Sequence, residues 1–175
     1  MKKLLFITVL LVATVTQAQD FKIGPKAGVG YGSFTEGDGS DYSNIQIGVQ
    51  SFIILSPEIA ISPEVYYNHY SLDGNALKWN FSYITVPVKF RYFVLPGLNI
   101  HAGPEVNFLV SNDYPDLELE PVEMEGVNVA ATLGVGYLFD FGLSLDLRYS
   151  GGLTSTFANS DTKLSTFNLG VGYLF

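Results

Sequence analysis

From Phe21 to the C-terminus the chain alternates apolar and polar residues with a period of two, over segments long enough to cross a lipid bilayer. A strand turns successive side chains to opposite faces, so this pattern describes strands with one apolar and one polar face. In Phe21–Phe34 the odd positions hold Phe21, Ile23, Pro25, Ala27, Val29 and Tyr31, and the even ones Lys22, Gly24, Lys26, Gly28, Gly30 and Gly32. The same alternation runs through Asn44–Leu55, Glu58–Tyr70, Phe81–Leu95, Leu98–Val110, Val127–Phe139, Leu143–Ser150 and Leu164–Phe175. These are eight strands of roughly 8 to 15 residues, close to the 9–11 that cross a bilayer when tilted. No segment of comparable length carries a 3.6-residue period.

The connections alternate too. Ser56-Pro57, Pro96-Gly97 and Asp140-Phe141-Gly142 read as tight turns, while Thr35–Ser43, Ser71–Asn80, Ser111–Gly126 and Thr154–Lys163 are longer and polar. An outer-membrane barrel has long extracellular loops, short periplasmic turns and both chain ends in the periplasm. Eight strands give that order without adjustment. The expected fold is therefore all-β, an eight-stranded antiparallel up-and-down transmembrane barrel.

The distribution of small residues separates this from a soluble barrel, which keeps large apolar side chains inside and charge outside. Here the polar face carries Gly28, Gly30, Gly32, Gly48, Gly103, Gly134, Gly136, Gly170 and Gly172. Eight strands enclose only enough room for side chains to fill, so small residues belong on the concave side. The other face is Ile, Val, Leu, Phe and Tyr. Its aromatics gather towards both ends of the strands, Phe21, Tyr137, Phe139, Tyr173 and Phe175 at one and Tyr31, Tyr67, Phe108 and Tyr149 at the other. That is the pair of interfacial girdles that lipid contact produces. Pro25, Pro63, Pro87 and Pro104 oppose the pattern, because each deletes a ladder hydrogen bond, and they are expected to mark bulges that shift the register beyond them.

Composition narrows the function. Charged residues are 15% of the chain and the net charge is −8, which argues against disorder and against a nucleic-acid partner. Zero cysteines exclude a disulfide scaffold and a thiolate metal site. Met1-Lys2-Lys3, the apolar run Leu4 to Val15 and the small-residue site Thr16-Gln17-Ala18 form a signal peptide over 1–18, with the barrel domain over 19–175. The expected location is the cell outer membrane.

Counted up from the periplasmic turns, Lys26, Glu64, Lys89, Arg91, Glu105, Asp146 and Arg148 face inward, about four to seven residues into the barrel. Glu64 and Lys89 fall at matching heights on adjacent strands, and Arg91 and Glu105 approximately so. A charge inside a narrow, low-dielectric lumen must be paired. These seven are expected to form a structural salt-bridge plug and not a selective pore, since an open channel needs more strands. The third long loop concentrates Asp113, Asp116, Glu118, Glu120, Glu123 and Glu125. It lacks the spacing and glycine of a calcium loop. A solvated acidic loop is expected, open to docking by a basic partner or to loose divalent-cation binding at the lipopolysaccharide surface.

Enzymatic groups are sparse. The two histidines, His69 and His101, stand near opposite ends of their strands, most of a membrane apart, and cannot share a site. His69 with Ser71 and Asp73 is a rim cluster by local spacing alone, which is poor support for a triad. Gly28-x-Gly30-x-Gly32 lies within a strand and opens no helix, so it is no phosphate loop. No enzyme activity, cofactor or metal is expected.

Several segments resemble the PorT family of outer-membrane β-barrel proteins from Bacteroidetes. Gly24-Pro25-Lys26-Ala27-Gly28 resembles its first-strand motif, and Leu55-Ser56-Pro57-Glu58 through Ser62-Pro63-Glu64-Val65-Tyr66-Tyr67 its second hairpin. Tyr83-Ile84-Thr85-Val86-Pro87-Val88-Lys89-Phe90-Arg91-Tyr92 resembles a third motif, with Thr85 in place of Glu and the basic residue shifted to Arg91. Ala102-Gly103-Pro104 and Leu147-Arg148-Tyr149-Ser150-Gly151-Gly152-Leu153 complete the set. The resemblance implies a barrel, accommodates the strand prolines, and points to secretion-system proteins as partners, with a role in protein secretion or envelope organisation. A surface adhesion or ligand-binding barrel acting through its loops is the alternative, ahead of a small pore or a rim enzyme. Separately, Phe167, Leu169, Val171, Tyr173 and Phe175 place an apolar residue at every second position up to a terminal aromatic, so Tyr173 and Phe175 are expected to serve the barrel-assembly machinery as a recognition signal.

Overall fold

The computed structural model describes residues 20–34, 41–73, 78–113, 124–157 and 161–175; the leader expected over 1–18 lies outside them. Eight strands follow in chain order: β1 Asp20–Phe34, β2 Asp41–Ser56, β3 Ile59–Asp73, β4 Lys78–Phe93, β5 Leu98–Asp113, β6 Val127–Leu138, β7 Leu143–Gly152 and β8 Leu164–Tyr173. Each pairs antiparallel with its neighbour, and β8 returns to β1 to close the barrel. Closure leaves no sheet edge, the condition for backbone to cross hydrocarbon as strands.

The stagger of the barrel can be followed residue by residue. One rung of partners runs Asp20, Ile54, Ala60, Arg91, His101, Gly134, Arg148, Asn168 and back to β1 at Gly30, so a full circuit climbs from residue 20 to residue 30. A stagger of this kind tilts the strands, typically by about 35–45°. The short turns close as the sequence implies. Gly97 and Gly142 adopt φ of +79° and +97°, the left-handed conformation that only glycine enters without strain. Leu98 N donates to Leu95 O at 3.0 Å in the first, and Gly142 N to Phe139 O at 2.9 Å in the second.

The prolines do not shift the register. Partners on either side of Pro25, Pro63, Pro87 and Pro104 keep one continuous alignment, which corrects the expectation of bulges there. At Pro63, Ser62 Oγ donates to Ser51 O at 2.7 Å, and Ser51 Oγ donates to Pro63 O at 2.7 Å. Two serine hydroxyls thus bond the carbonyls beside the imide nitrogen that has no proton to give. At Pro25 and Pro104 the preceding residue is glycine, and a Cβ on Gly24 or Gly103 would collide with the backbone oxygen of Tyr173 or Val88. The glycine lets the neighbouring strand come in close where the proline has removed a donor. The actual irregularities lie elsewhere, with Leu55 extra at the foot of β2 and Val110 extra near the top of β5.

The outward face is apolar along its whole height. Val29, Tyr31, Ile45, Ile47, Phe90, Leu133, Phe167 and Leu169 are each more than half exposed, as are no buried-core residues of a soluble domain. Eight of the nine aromatics expected in two girdles are exposed on this surface, Phe21, Tyr137, Tyr173 and Phe175 near the short turns and Tyr31, Tyr67, Phe108 and Tyr149 near the long links, while Phe139 is half-buried and packs against Tyr137. Inside, the buried residues are mostly polar or charged, an inversion that only an apolar solvent around the barrel makes stable.

Candidate functional site

The lumen is filled in tiers. The middle tier is the charge cluster. Glu64 Oε2 lies 2.7 Å from Lys89 Nζ and 3.7 Å from Lys26 Nζ, while its Oε1 accepts from Arg91 Nη2 at 3.0 Å and lies 2.9 Å from Ser62 Oγ. Asp146 Oδ1 accepts from Lys26 Nζ at 2.7 Å, and its Oδ2 stands 3.7 Å from Arg91 Nη2 and 3.8 Å from Lys89 Nζ. Two carboxylates from β3 and β7 therefore hold three cations from β1 and β4. Aromatic faces take up the remaining charge: the Arg91 guanidinium sits 4.3 Å over Phe52, and Lys26 and Arg148 flank Tyr66.

The structure places every one of the seven expected lumen residues inward and buried. It does not bring Arg91 and Glu105 together. Across β4 and β5, Arg91 pairs with His101 and Glu105 with Pro87, so the two lie four residues apart. Glu105 instead accepts from Ser150 Oγ at 3.1 Å and lies 4.0 Å from Arg148 Nη1. His101 joins the cluster that sequence reading assembled without it. Arg91 Nη1 approaches its Nδ1 at 3.3 Å, and its Nε2 is 3.2 Å from Asp146 Oδ2. Its parity, shared with Glu105 on β5, was the signal that points it inward.

Above the charges lies a belt of amides. Asn44 Nδ2 donates to Asn68 Oδ1 at 3.3 Å and to Asn168 Oδ1 at 3.2 Å. Asn68 Nδ2 donates to Thr85 Oγ1, which donates on to Asn107 Oδ1, both at 2.7 Å. The third tier, at the long-loop end, is aromatic, although the alternation turns mostly polar and small residues to the axis. Tyr42, Tyr70, Phe81 and Tyr83 are buried together, with Tyr70 and Phe81 stacked at 4.9 Å between ring centroids. Phe34, Trp79 and Phe157 continue the stack towards the mouth. There Met124 bridges to Phe157, and Glu125 N donates to Thr156 O at 2.9 Å, so the feet of the third and fourth long links meet across the opening.

The remaining candidates lie at the rim. Asp113 ends β5 and is exposed, and Glu125 precedes β6; Asp116, Glu118, Glu120 and Glu123 lie outside the described residues. His69 faces outward and places Nδ1 3.0 Å from Ser82 Oγ, which also accepts from Tyr67 OH at 2.9 Å. Its hydrogen-bonding neighbours are thus across the β3–β4 ladder and not Ser71, and the Asp73 side chain lies outside the described residues. Ser82 is 1% exposed, so its hydroxyl is not presented to solvent. At the C-terminus Phe175 N donates to Ile23 O at 3.0 Å, and the rings of Tyr173 and Phe175 pack edge to face on the outer surface.

Eight tilted antiparallel strands, an apolar exterior and a charge-packed interior define a transmembrane β-barrel. The chain belongs to the outer membrane protein beta-barrel domain family, whose model matches residues 4–175. Solved barrels share the fold at low identity. Ail, the attachment invasion locus protein of Yersinia pestis, is 12% identical over 90% of this chain and 100% of its own, with a TM-score of 0.57. Neisserial surface protein A is also 12% identical, covering 89% of this chain and 97% of its own at a TM-score of 0.62. OprG from Pseudomonas aeruginosa is 13% identical over 90% and 96%, at 0.51. No curated protein matches in sequence.

Proposed function

We propose that this outer-membrane barrel works through its loops and rims, as a non-enzymatic component of protein secretion or envelope organisation, in the manner that the PorT resemblance implies. The observation that carries this reading is the filled lumen. A charge cluster and an aromatic tier stand in series along the axis, which leaves the outer surface and the two ends as working surfaces. The experiment compares the proteins released to the medium by cells with and without the gene. Loss of a class of cargo, restored on complementation, supports the role in secretion. An unchanged set removes it.

A second reading is a surface barrel that binds partners from its extracellular end. The strand lengths favour it. β1 to β5 run 15 or 16 residues while β6 to β8 run 10 to 12, so one side of the rim stands proud of the other. Ail was also solved with a heparin analogue, sucrose octasulfate. The acidic third link here suits a basic or cation-bridged partner and not a sulfated one. Exchange of that link for a neutral sequence, without loss of partner binding, overturns this reading.

A further inference from the structure

Three neighbouring ladders of the wall are interrupted, and each interruption contains a proline. Between β2 and β3 the pairing stops at Gln50 with Glu64 and resumes at Ile53 with Ile61, across Ser51, Phe52, Ser62 and Pro63. Between β3 and β4 it stops at Pro63 with Val88 and resumes at Tyr66 with Thr85, across Glu64, Val65, Val86 and Pro87. Between β4 and β5 it stops at Pro87 with Glu105 and resumes at Phe90 with Ala102, across Val88, Lys89, Gly103 and Pro104. The ladders β1–β2, β5–β6, β6–β7, β7–β8 and β8–β1 run without a gap. The three gaps adjoin, and together they draw one diagonal through the waist of β2 to β5.

A proline in a ladder removes a hydrogen bond that hydrocarbon cannot replace. Where Gly103 passes Val88 the backbones come into contact, but carbon–hydrogen contact is weaker than an N–H···O bond. Side chains span the diagonal instead. Across β2 and β3 the hydroxyls of Ser51 and Ser62 reach the opposite carbonyls, both at 2.7 Å. Across β3 and β4 the Glu64 carboxylate holds Lys89 Nζ at 2.7 Å and Arg91 Nη2 at 3.0 Å, at the height where the backbone pairs are missing. The gap between β4 and β5 is bracketed by Arg91 Nη1 donating to Asn99 Oδ1 at 2.8 Å below and Thr85 Oγ1 donating to Asn107 Oδ1 at 2.7 Å above.

We propose that this diagonal is a hinge seam in the barrel wall, the first place where it opens without unfolding, and that the ion pairs of Glu64 with Lys89 and Arg91 are the latch that holds it shut. The charge cluster then does more than fill the lumen, because it supplies the strand-to-strand bonds that the prolines took away. The upper halves of β2 to β5, which carry the aromatic tier and the taller side of the rim, stand above the seam and move when it yields. Glu105, beside the seam, borders a polar cavity with room for about one water, so solvent reaches the opened backbone from the lumen side.

The test is amide hydrogen exchange, read by mass spectrometry on the barrel folded in detergent. In the parent protein the amides of Glu64, Val65, Lys89 and Gly103 exchange at least about tenfold faster than those of Leu133–Val135 on β6 and Phe167–Leu169 on β8. Both reference segments lie on the rung of Arg91 and His101, so depth in the membrane is matched. Pro87→Ala returns an N–H to the ladder and slows the seam. Glu64→Gln releases the latch and speeds the seam about tenfold further, within labelling times at which β6 and β8 stay protected. Uniform exchange around the waist of the parent overturns the proposal. Equal acceleration of all eight strands in Glu64→Gln does so too, since the cluster is then a general stabiliser and no latch. Should Glu64→Gln fail to fold, a seam that is unchanged or faster in Pro87→Ala overturns the proposal alone.

Discussion

Removing the Glu64 carboxylate leaves Lys89 at close quarters with Arg91 in a buried space where Asp146 is the remaining acid of the central cluster. Breaking a buried pair by deleting one partner costs about 3–5 kcal/mol, mostly from the charge left behind. Glu64→Gln is therefore expected to lower the unfolding free energy of the detergent-folded barrel, read from urea titration, by that much, and Glu64→Gln with Lys89→Met to recover a large part of it. Ser62 gives a subtler case. Its hydroxyl is the donor to Ser51 O beside Pro63, and Ser62→Ala strands that carbonyl at a cost of about 1–3 kcal/mol. In a Pro63→Ala background the restored N–H can take over, so the same substitution is expected to cost much less. A double-mutant cycle in urea reads the difference.

At the scale of the strand, glycine is demanded by neighbours rather than by local conformation. A Cβ at Gly103 meets the backbone oxygen and carbon of Val88, which cannot swing aside as a side chain can. Gly103→Ala is expected to destabilise by at least the about 1–3 kcal/mol of ordinary overpacking. Gly126→Ala, where a Cβ meets nothing within 4 Å, is expected to be neutral in the same unfolding assay. The strands themselves were readable because period two and turn chemistry are local. Val127, Leu143 and Leu164 begin their strands where the alternation begins, and Gly97 and Gly142 mark their turns. Parity also told which way Lys26, Glu64 and Asp146 point. Height was harder to read. Arg91 and Glu105 share a face, yet their charge partners are Glu64 and Arg148, because who meets whom depends on hairpin registers and on the stagger of the closed ring. The inward aromatics escaped for a related reason: Tyr42, Tyr70, Phe81 and Tyr83 read as apolar among apolar neighbours, and only the pleat shows them turned to the axis.

For the whole molecule the filled tiers act in series, so opening one does not open the barrel. Phe81→Ala is expected to loosen the outer tier and leave planar bilayers without conductance steps, since the Glu64–Lys89–Asp146 cluster still lies across the axis. Steps in Phe81→Ala alone would show the charge cluster to be permeable. The terminal residue is expected to matter for assembly and not for stability. Phe175 is 76% exposed and bonds through its backbone, so Phe175→Ala is expected to slow insertion in cells while the purified barrel keeps its unfolding midpoint.

The climb from Asp20 to Gly30 in one circuit of the wall is a whole number, and a closed ring has to keep it whole. A hairpin in an open sheet can slip by two residues and trouble only itself. Here a slip at any ladder changes the count for all eight, unless an opposite slip occurs elsewhere on the ring. A register error is thus never a local fault. The Leu55 and Val110 insertions sit at the ends of their ladders, clear of the rung that carries the count. Evolution can lengthen or bend this molecule at its two rims with little consequence. Through its waist, a single inserted residue turns a strand's lipid face towards the axis.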